Sequence, residues 1–127
     1  MATIKFSDVS RVFERDGKDF LILDNINLTV QDEEFVAIVG PSGCGKTTCM
    51  RMAAGLEFPS SGTVKVNDIQ VSGPGPDRAV VFQQFALFPW KTVYDNIDFG
   101  LRGKGIIKEE RESLIAHYIS LMNLKGY

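Results

Sequence analysis

Residues 35–48 read FVAIVGPSGCGKTT, in which a short apolar run leads into the spacing Gly-x-x-x-x-Gly-Lys-Thr. This spacing is that of a P-loop, which cradles phosphates with backbone N–H groups. The apolar run predicts a buried parallel strand over residues 35–39, and the residues after Lys46 can open a helix. A glycine-rich turn without a ligand is the competing interpretation, but it requires chance to supply the preceding strand as well. The stretch therefore predicts a site for a nucleoside triphosphate.

The residue types in the loop fit this chemistry. Three glycines allow backbone turns that residues with a Cβ resist, so that successive N–H groups can converge on phosphate oxygens. Lys46 is predicted to reach the β- and γ-phosphates, and the Thr47 hydroxyl to ligate Mg²⁺. The helix that follows directs its positive end at the same phosphates. The predicted nucleotide-binding residues of the loop are Gly40, Pro41, Ser42, Gly43, Cys44, Gly45, Lys46, Thr47 and Thr48.

The composition describes about one ordinary globular domain. The 127 residues are 44% hydrophobic and 24% charged, and a net charge of −2 supplies no basic field for nucleic acid. No apolar run approaches the roughly 18 residues of a membrane-spanning helix, and the N-terminus lacks a signal-peptide core. Cys44 and Cys49 are the only cysteines and match neither a zinc site nor a disulfide framework. We expect a cytoplasmic protein with reduced thiols and no nucleic-acid partner.

Short apolar stretches separated by polar turns lie on both sides of the P-loop. Residues 4–30 predict antiparallel strands and hairpins, including a turn at residues 15–18. Residues 63–66 and 69–71 predict two further strands joined by a tight turn. Residues 78–82 are typical of another buried strand.

The pattern becomes helical from Thr92 onward. Thr92 and Asp95 can form an N-cap pair, and the apolar residues that follow fall on one helix face. A second helix is predicted from about Lys108 to Met122. Its apolar stripe consists of Leu114, Ile115, Tyr118, Leu121 and Met122. His117, the only histidine, lies on this helix, and we expect it to be solvated or packed at the helix edge rather than catalytic.

Taken in order, these segments resemble the ATP-binding subunits of ABC transporters over essentially the whole chain. Val9-Ser10-Arg11-Val12-Phe13 looks like the A-loop of that family, in which an aromatic side chain stacks on adenine. The resemblance implies that Phe13 is the adenine platform. The form of the P-loop, with Ala54-Gly55-Leu56-Glu57 and Pro59-Ser60-Ser61-Gly62 after it, is typical of ABC importers.

The segment Val81-Phe82-Gln83 matches the Q-loop of the same family. The resemblance implies that Gln83 ligates Mg²⁺, positions the attacking water and senses a membrane partner. With ATP and Mg²⁺ as cofactors, the implied catalytic residues are Lys46 and Gln83, and the implied metal ligands are Thr47 and Gln83.

Two further segments are similar to the branch of the family that imports nitrate, sulfonates and taurine, namely residues 73–78 and 87–90. In the family, the region of Phe85 to Trp90 helps to form the groove that receives a short helix of the transmembrane permease. Phe88 and Trp90 are our predicted contacts, and internal packing is the competing interpretation. A second ATP-binding subunit, paired head to tail, is the other implied partner.

The resemblance implies an α/β fold that forms the N-terminal portion of a P-loop NTPase, with an incomplete core and a peripheral location on the inner face of the cell membrane. Four parts are expected. An antiparallel β region with the A-loop covers about residues 1–34, and the P-loop strand and helix cover 35–58. Strands and the Q-loop cover 59–91, and the start of the helical subdomain covers 92–127.

The sequence departs from the family pattern at several points. Glu33-Glu34 stands where Gly-Glu is common, and Phe13 stands where Tyr is common. Up to Tyr127 there is no Leu-Ser-Gly-Gly-Gln-type signature, Walker B aspartate, catalytic glutamate or switch histidine. We therefore expect the 127-residue chain to bind ATP with little or no hydrolysis. Two alternatives stay open: a non-catalytic, truncated ATP-binding paralogue, and another P-loop enzyme such as a small-molecule kinase.

Overall fold

The structure is a computed structural model that describes residues 2–127. It divides into two compact units, of which the first extends to Val81 and the second comprises Phe82–Tyr127. The elements of the first unit are β1 (Ile4–Arg15), β2 (Lys18–Val30), α1 (Lys46–Ala54), β3 (Ser61–Val66) and β4 (Ile69–Gln70). Those of the second are α2 (Val93–Gly103) and α3 (Lys108–Leu121).

The first unit is built on an antiparallel sheet with the strand order β2-β1-β3-β4. β1 and β2 form the predicted hairpin, and the turn between them is Asp16-Gly17, with φ angles of 54° and 70°. Two successive left-handed residues give a turn whose twist matches that of the strands. β3 and β4 form the second predicted hairpin around Asn67-Asp68. The hairpins predicted from the turn residues are therefore confirmed.

Helix α1 packs its apolar face against this sheet. Met52 and Val9 are fully buried, and Cys49, one helical turn before Met52, joins them in the core. Burial raises the pKa of the Cys49 thiol, so this cysteine acts as a small apolar side chain. The rest of the core cluster consists of Phe6, Leu23, Val64, Val66 and Val71.

The strands predicted at residues 35–39 and 78–82 are wrong. Both segments are outside regular structure, and Phe35, Val39 and Val81 are 94%, 87% and 99% exposed. A strand requires a neighbour with which to exchange ladder hydrogen bonds, and residues 2–127 supply only the antiparallel sheet, which neither segment joins. The P-loop is consequently preceded by an exposed apolar run without regular structure instead of a buried parallel strand.

The second unit is a helix pair with a charged centre. Thr92 caps α2 as predicted: its hydroxyl oxygen accepts from the Asp95 N–H at 3.0 Å, and its O–H donates to the Asp95 carboxylate at 2.7 Å. Asp98 is buried and accepts from Arg102, and from Arg111 Nε at 2.7 Å. These hydrogen bonds, Arg111 first, lower the pKa of Asp98. The carboxylate thereby ties α2 to α3.

The apolar stripe predicted on α3 is only partly buried within the described residues. Ile115 is fully buried, whereas Tyr118, Leu121 and Met122 remain 46%, 66% and 66% exposed. His117 is exposed, as predicted. In the part of the chain that the structure describes, no helix combines the length and apolar character needed to cross a membrane.

Two methionines of α1 offer a direct test of the packing. Met52→Ala leaves a cavity in the core and is expected to lower the free energy of unfolding by about 2–4 kcal/mol. Met50, two residues earlier on the helix, is 54% exposed, so Met50→Ala should cost less than about 0.5 kcal/mol. Urea denaturation of both variants measures the difference, and equal losses would contradict the assignment of the buried face.

Candidate nucleotide-binding site

The P-loop turns sharply into helix α1 at two left-handed glycines. Gly43 and Gly45 have φ angles of 80° and 95°, and Gly45 is the N-cap residue of the helix. A Cβ on Gly45 would lie 2.7 Å from Leu23 Cδ2 and 3.0 Å from the carbonyl oxygen of Ile22. Two features therefore require glycine at position 45, namely the left-handed backbone conformation and the close approach of β2. That approach fixes the end of the loop on the hairpin.

The start of α1 offers donors and positive charge to an anion. Its first helical hydrogen bond runs from the Cys49 N–H to the Gly45 carbonyl, so the N–H groups of residues 46–48 have no partner within the helix. No side chain of the described residues caps this end, and its first turn carries no acid. The positive end of the helix dipole is thus left uncompensated, which suits a phosphate group.

Lys46 lies folded over the loop. Its Nζ donates to the carbonyl oxygens of Gly40 at 2.7 Å and Pro41 at 2.6 Å. The Cys44 Sγ is 3.5 Å from the same Nζ, and a Cβ on Gly40 would meet this sulfur at 2.7 Å. The loop thereby holds the ammonium group at its own centre, in contact with three of the predicted binding residues.

The remaining loop residues fit the predicted ligands. Ser42, Gly43 and Thr47 are exposed, and Thr48 is half-buried. A solvent-facing Thr47 hydroxyl is a suitable oxygen ligand for Mg²⁺, which keeps most of its shell as water and phosphate oxygens. No group of three or more His, Cys, Asp or Glu side chains among residues 2–127 forms a metal cluster of its own. The exposed Thr47 hydroxyl therefore fits one ligand position of a magnesium ion.

Phe13 lies at the far end of the hairpin, opposite Phe20 on β2. Its ring is half-buried, and the guanidinium carbon of Arg11 lies 4.3 Å from the ring centroid. β2 thus carries both the partner of Phe13 and, at Ile22 and Leu23, the contact with Gly45. One strand links the predicted adenine platform to the end of the P-loop.

Gln83 belongs to the second unit, and its side chain is exposed. Its role as a ligand of Mg²⁺ stays a prediction.

The aromatic segment of the second unit contains one half-buried and two exposed aromatic side chains. Phe88 packs against Phe99 at 4.8 Å and Trp90 at 5.5 Å between ring centroids. The Asn96 side chain accepts from the Phe88 N–H at 2.9 Å. Phe85 and Trp90, in contrast, are 100% and 77% exposed. Phe88 therefore serves internal packing, while Phe85 and Trp90 present apolar surface.

The sequence analysis missed several residues that organise these sites, chiefly Arg11, Glu57, Asn96 and Asp98. Arg11 stands two positions before Phe13 and hence on the same face of β1, which is a signal that could have been read. Arg102 stands four positions after Asp98 on α2, which is a second signal that could have been read, whereas Arg111 and the partner of Glu57 come from other elements and no local pattern indicates them.

Residues 23–127 match the model of the family described as ABC transporter. The chain belongs to the ABC transporter family. One relative is an uncharacterized ABC transporter ATP-binding protein of Methanocaldococcus jannaschii, which is 47% identical to this chain. The match covers 98% of this chain and 46% of the relative. A nitrate import ATP-binding protein of Synechocystis is 42% identical, over 98% and 47% respectively.

A taurine import ATP-binding protein of Chromobacterium violaceum is 46% identical, over 80% of this ABC chain and 39% of its own length. Among solved structures, a dimeric ATP-binding cassette in a post-hydrolysis state with bound ADP and phosphate superposes with a TM-score of 0.83 at 29% identity. That match covers 97% of this chain and 58% of the cassette. The chain spans about half the length of the curated relatives it matches. The expected α/β fold and family are confirmed.

Gly45 and Gly17 allow the loop geometry to be tested with a matched pair. Both have positive φ, so an alanine at either position carries left-handed strain of about 1–2 kcal/mol. Of the two, only Gly45 gives a new Cβ that also collides, with Leu23, since no atom of residues 2–127 beyond the chain neighbours lies within 4 Å of a Cβ at Gly17. Gly45→Ala should therefore lose about 1–3 kcal/mol more stability than Gly17→Ala. Chemical denaturation of both variants checks this, and equal losses would contradict the contact with β2.

Proposed function

We propose that this ABC chain is the ATP-binding portion of a subunit that energises the import of a small nutrient such as nitrate, taurine or a sulfonate. The observation that carries ATP binding is the P-loop itself. Its ammonium group sits at the loop centre, and the left-handed Gly43 and Gly45 lead into an uncapped helix start. The class of nutrient is inferred from the relatives named for nitrate and taurine import.

Each loop residue has a definite task in this proposal. The N–H groups of residues 46–48, which have no partner within the helix, donate to phosphate oxygens. Lys46 exchanges the carbonyl oxygens of Gly40 and Pro41 for β- and γ-phosphate oxygens, which bring it a full opposite charge. The Thr47 hydroxyl would hold Mg²⁺, which when bound neutralises phosphate charge, and ligation of Mg²⁺ by Gln83 stays a prediction. Phe13 supplies a flat apolar surface for adenine.

We further propose that the 127 residues alone bind ATP without appreciable turnover. Hydrolysis of a bound triphosphate requires a group that holds the attacking water as well as groups that hold the phosphates. The P-loop supplies the second kind of group. The sequence carries no Leu-Ser-Gly-Gly-Gln-type signature with which a second subunit could close over the phosphates. In the whole protein, pairing with a second ATP-binding subunit would complete the site.

The proposal predicts a specific loss on substitution of Lys46. Lys46→Ala should weaken MgATP binding by at least about tenfold, because it removes a charge-assisted contact to the phosphates. Lys5→Ala, which alters an exposed lysine of β1, should leave the affinity unchanged. Removal of Mg²⁺ with EDTA should weaken binding to the native chain.

Isothermal titration calorimetry measures these affinities, and phosphate release from the same samples measures turnover. Equal affinities of Lys46→Ala and the native chain would contradict ATP binding at this loop. Turnover comparable to that of an intact subunit would contradict the absence of catalysis.

We also propose that the exposed aromatic residues of the second unit contact a transmembrane permease from the cytoplasmic side. Phe85 and Trp90 are solvent-facing, whereas Phe88 is held by Phe99 and Asn96. Large exposed aromatic side chains that are anchored by a packed neighbour are typical of interface hot spots. Trp90 is therefore the proposed contact, and Phe88 supports it through the contact between their rings.

Co-purification with the permease tests this contact. Trp90→Ala and Phe85→Ala should each reduce the recovered complex about tenfold or more. Ile107→Ala, which alters an apolar residue of the same unit that is 65% exposed, should leave recovery unchanged. Undiminished recovery with both aromatic variants would place the permease contact elsewhere.

A further inference from the structure

The predicted adenine platform is covered on one side by a cation. Arg11 and Phe13 are two residues apart on β1 and lie on the same face of the strand. The guanidinium carbon of Arg11 is 4.3 Å from the centroid of the Phe13 ring, within the range of a cation–π contact. A planar guanidinium on a ring face limits the tilt of the ring and occupies that face.

The guanidinium is itself held by the segment that follows helix α1. Arg11 Nη2 donates to the Glu57 carboxylate at 2.6 Å, and Nη1 lies 3.5 Å from Ser60 Oγ. Both side chains of the ion pair are largely buried, with 24% and 22% exposure. Arg11 Nε is buried and has no hydrogen-bond partner among residues 2–127. A half-desolvated guanidinium of this kind interacts more strongly with an aromatic face than an exposed one.

Ser60 hydrogen-bonds the segment that follows α1 to strand β1, at the residues before and after Arg11. Its N–H donates to the Ser10 carbonyl oxygen at 2.9 Å, and its hydroxyl oxygen accepts from the Val12 N–H at 3.0 Å. These bonds fix the position of the Arg11 side chain against the end of α1. Because the Phe13 ring contacts the Arg11 guanidinium, the position of the ring is restricted as well.

We propose that Arg11, oriented by Glu57, is a positioning residue for the nucleotide base. Its guanidinium closes one face of the Phe13 ring and fixes the opposite face as the stacking surface for a planar base. Helix α1 then serves both ends of the nucleotide: its start binds the phosphates and the segment after its end holds the base platform. This inference rests on the proposed binding of ATP at the P-loop.

A purely structural role for the Arg11–Glu57 pair makes a different prediction. An ion pair that only ties α1 to the hairpin would, when broken, lower stability and weaken every ligand of the P-loop by the same factor. A positioning role for the base affects ATP and spares a ligand that has phosphates but no base. Inorganic tripolyphosphate is such a ligand, and the ratio of the two affinities separates the two roles.

The experiment measures binding of MgATP and magnesium tripolyphosphate to the full 127-residue chain and its variants by calorimetry. Arg11→Met should weaken MgATP about threefold to tenfold and leave tripolyphosphate within a factor of about 1.5. Glu57→Gln, which frees the guanidinium, should shift the ratio in the same direction. Arg11→Lys keeps the charge for Glu57 but loses the planar group, so it should give an intermediate ratio with little change in melting temperature.

Arg15→Met is the matched control, since Arg15 lies on the same strand but is exposed, and among residues 2–127 its only ion-pair partner is Asp16, at 3.8 Å. It should leave both affinities unchanged. If Arg11→Met fails to fold, Glu57→Gln and Arg11→Lys carry the test. An unchanged ratio in these variants, with ATP still bound by the native chain, would overturn the role of Arg11. Binding of neither ligand by the native chain would instead overturn the proposed function.

Discussion

The seating of helix α1 on the β1–β2 hairpin is the contact on which the rest of the first unit depends. Met52 and Val9 are buried without exposure at its centre, and Gly45 approaches β2 so closely that no Cβ fits between them. A P-loop is effective only if its N–H groups hold a fixed direction. The apolar contact beneath the helix supplies that rigidity, because close-packed core side chains leave no free volume into which the helix could shift.

From that contact, helix α1 organises the site at both of its ends. No side chain of residues 2–127 caps its start, where two loop carbonyls hold the Lys46 ammonium group, while the segment after its end brings Glu57 and Ser60 to β1. In the proposed function, phosphate binding and base stacking would both depend on this one helix. The nucleotide would bridge two regions that the hairpin and the helix already keep at a fixed separation.

The sequence predicted the parts of the fold whose signals are local. The P-loop spacing, the Asp16-Gly17 turn and the Thr92 cap each depend on residues within a few positions, and each is found as expected. The strands at residues 35–39 and 78–82 were predicted from composition, but a strand exists only with a neighbour, which residues 2–127 do not provide. The Arg11–Glu57 and Asp98–Arg111 pairs join distant positions, so periodicity could not reveal them.

Amide chemical shifts offer the most direct test of the claim that the seated P-loop receives the triphosphate. Titration of the isotope-labelled chain with MgATP is expected to move the N–H resonances of Gly43, Gly45 and Lys46 most. Those in the interior of β3 should stay unchanged. Saturable binding that leaves these three amides unmoved while shifting resonances elsewhere would contradict the account.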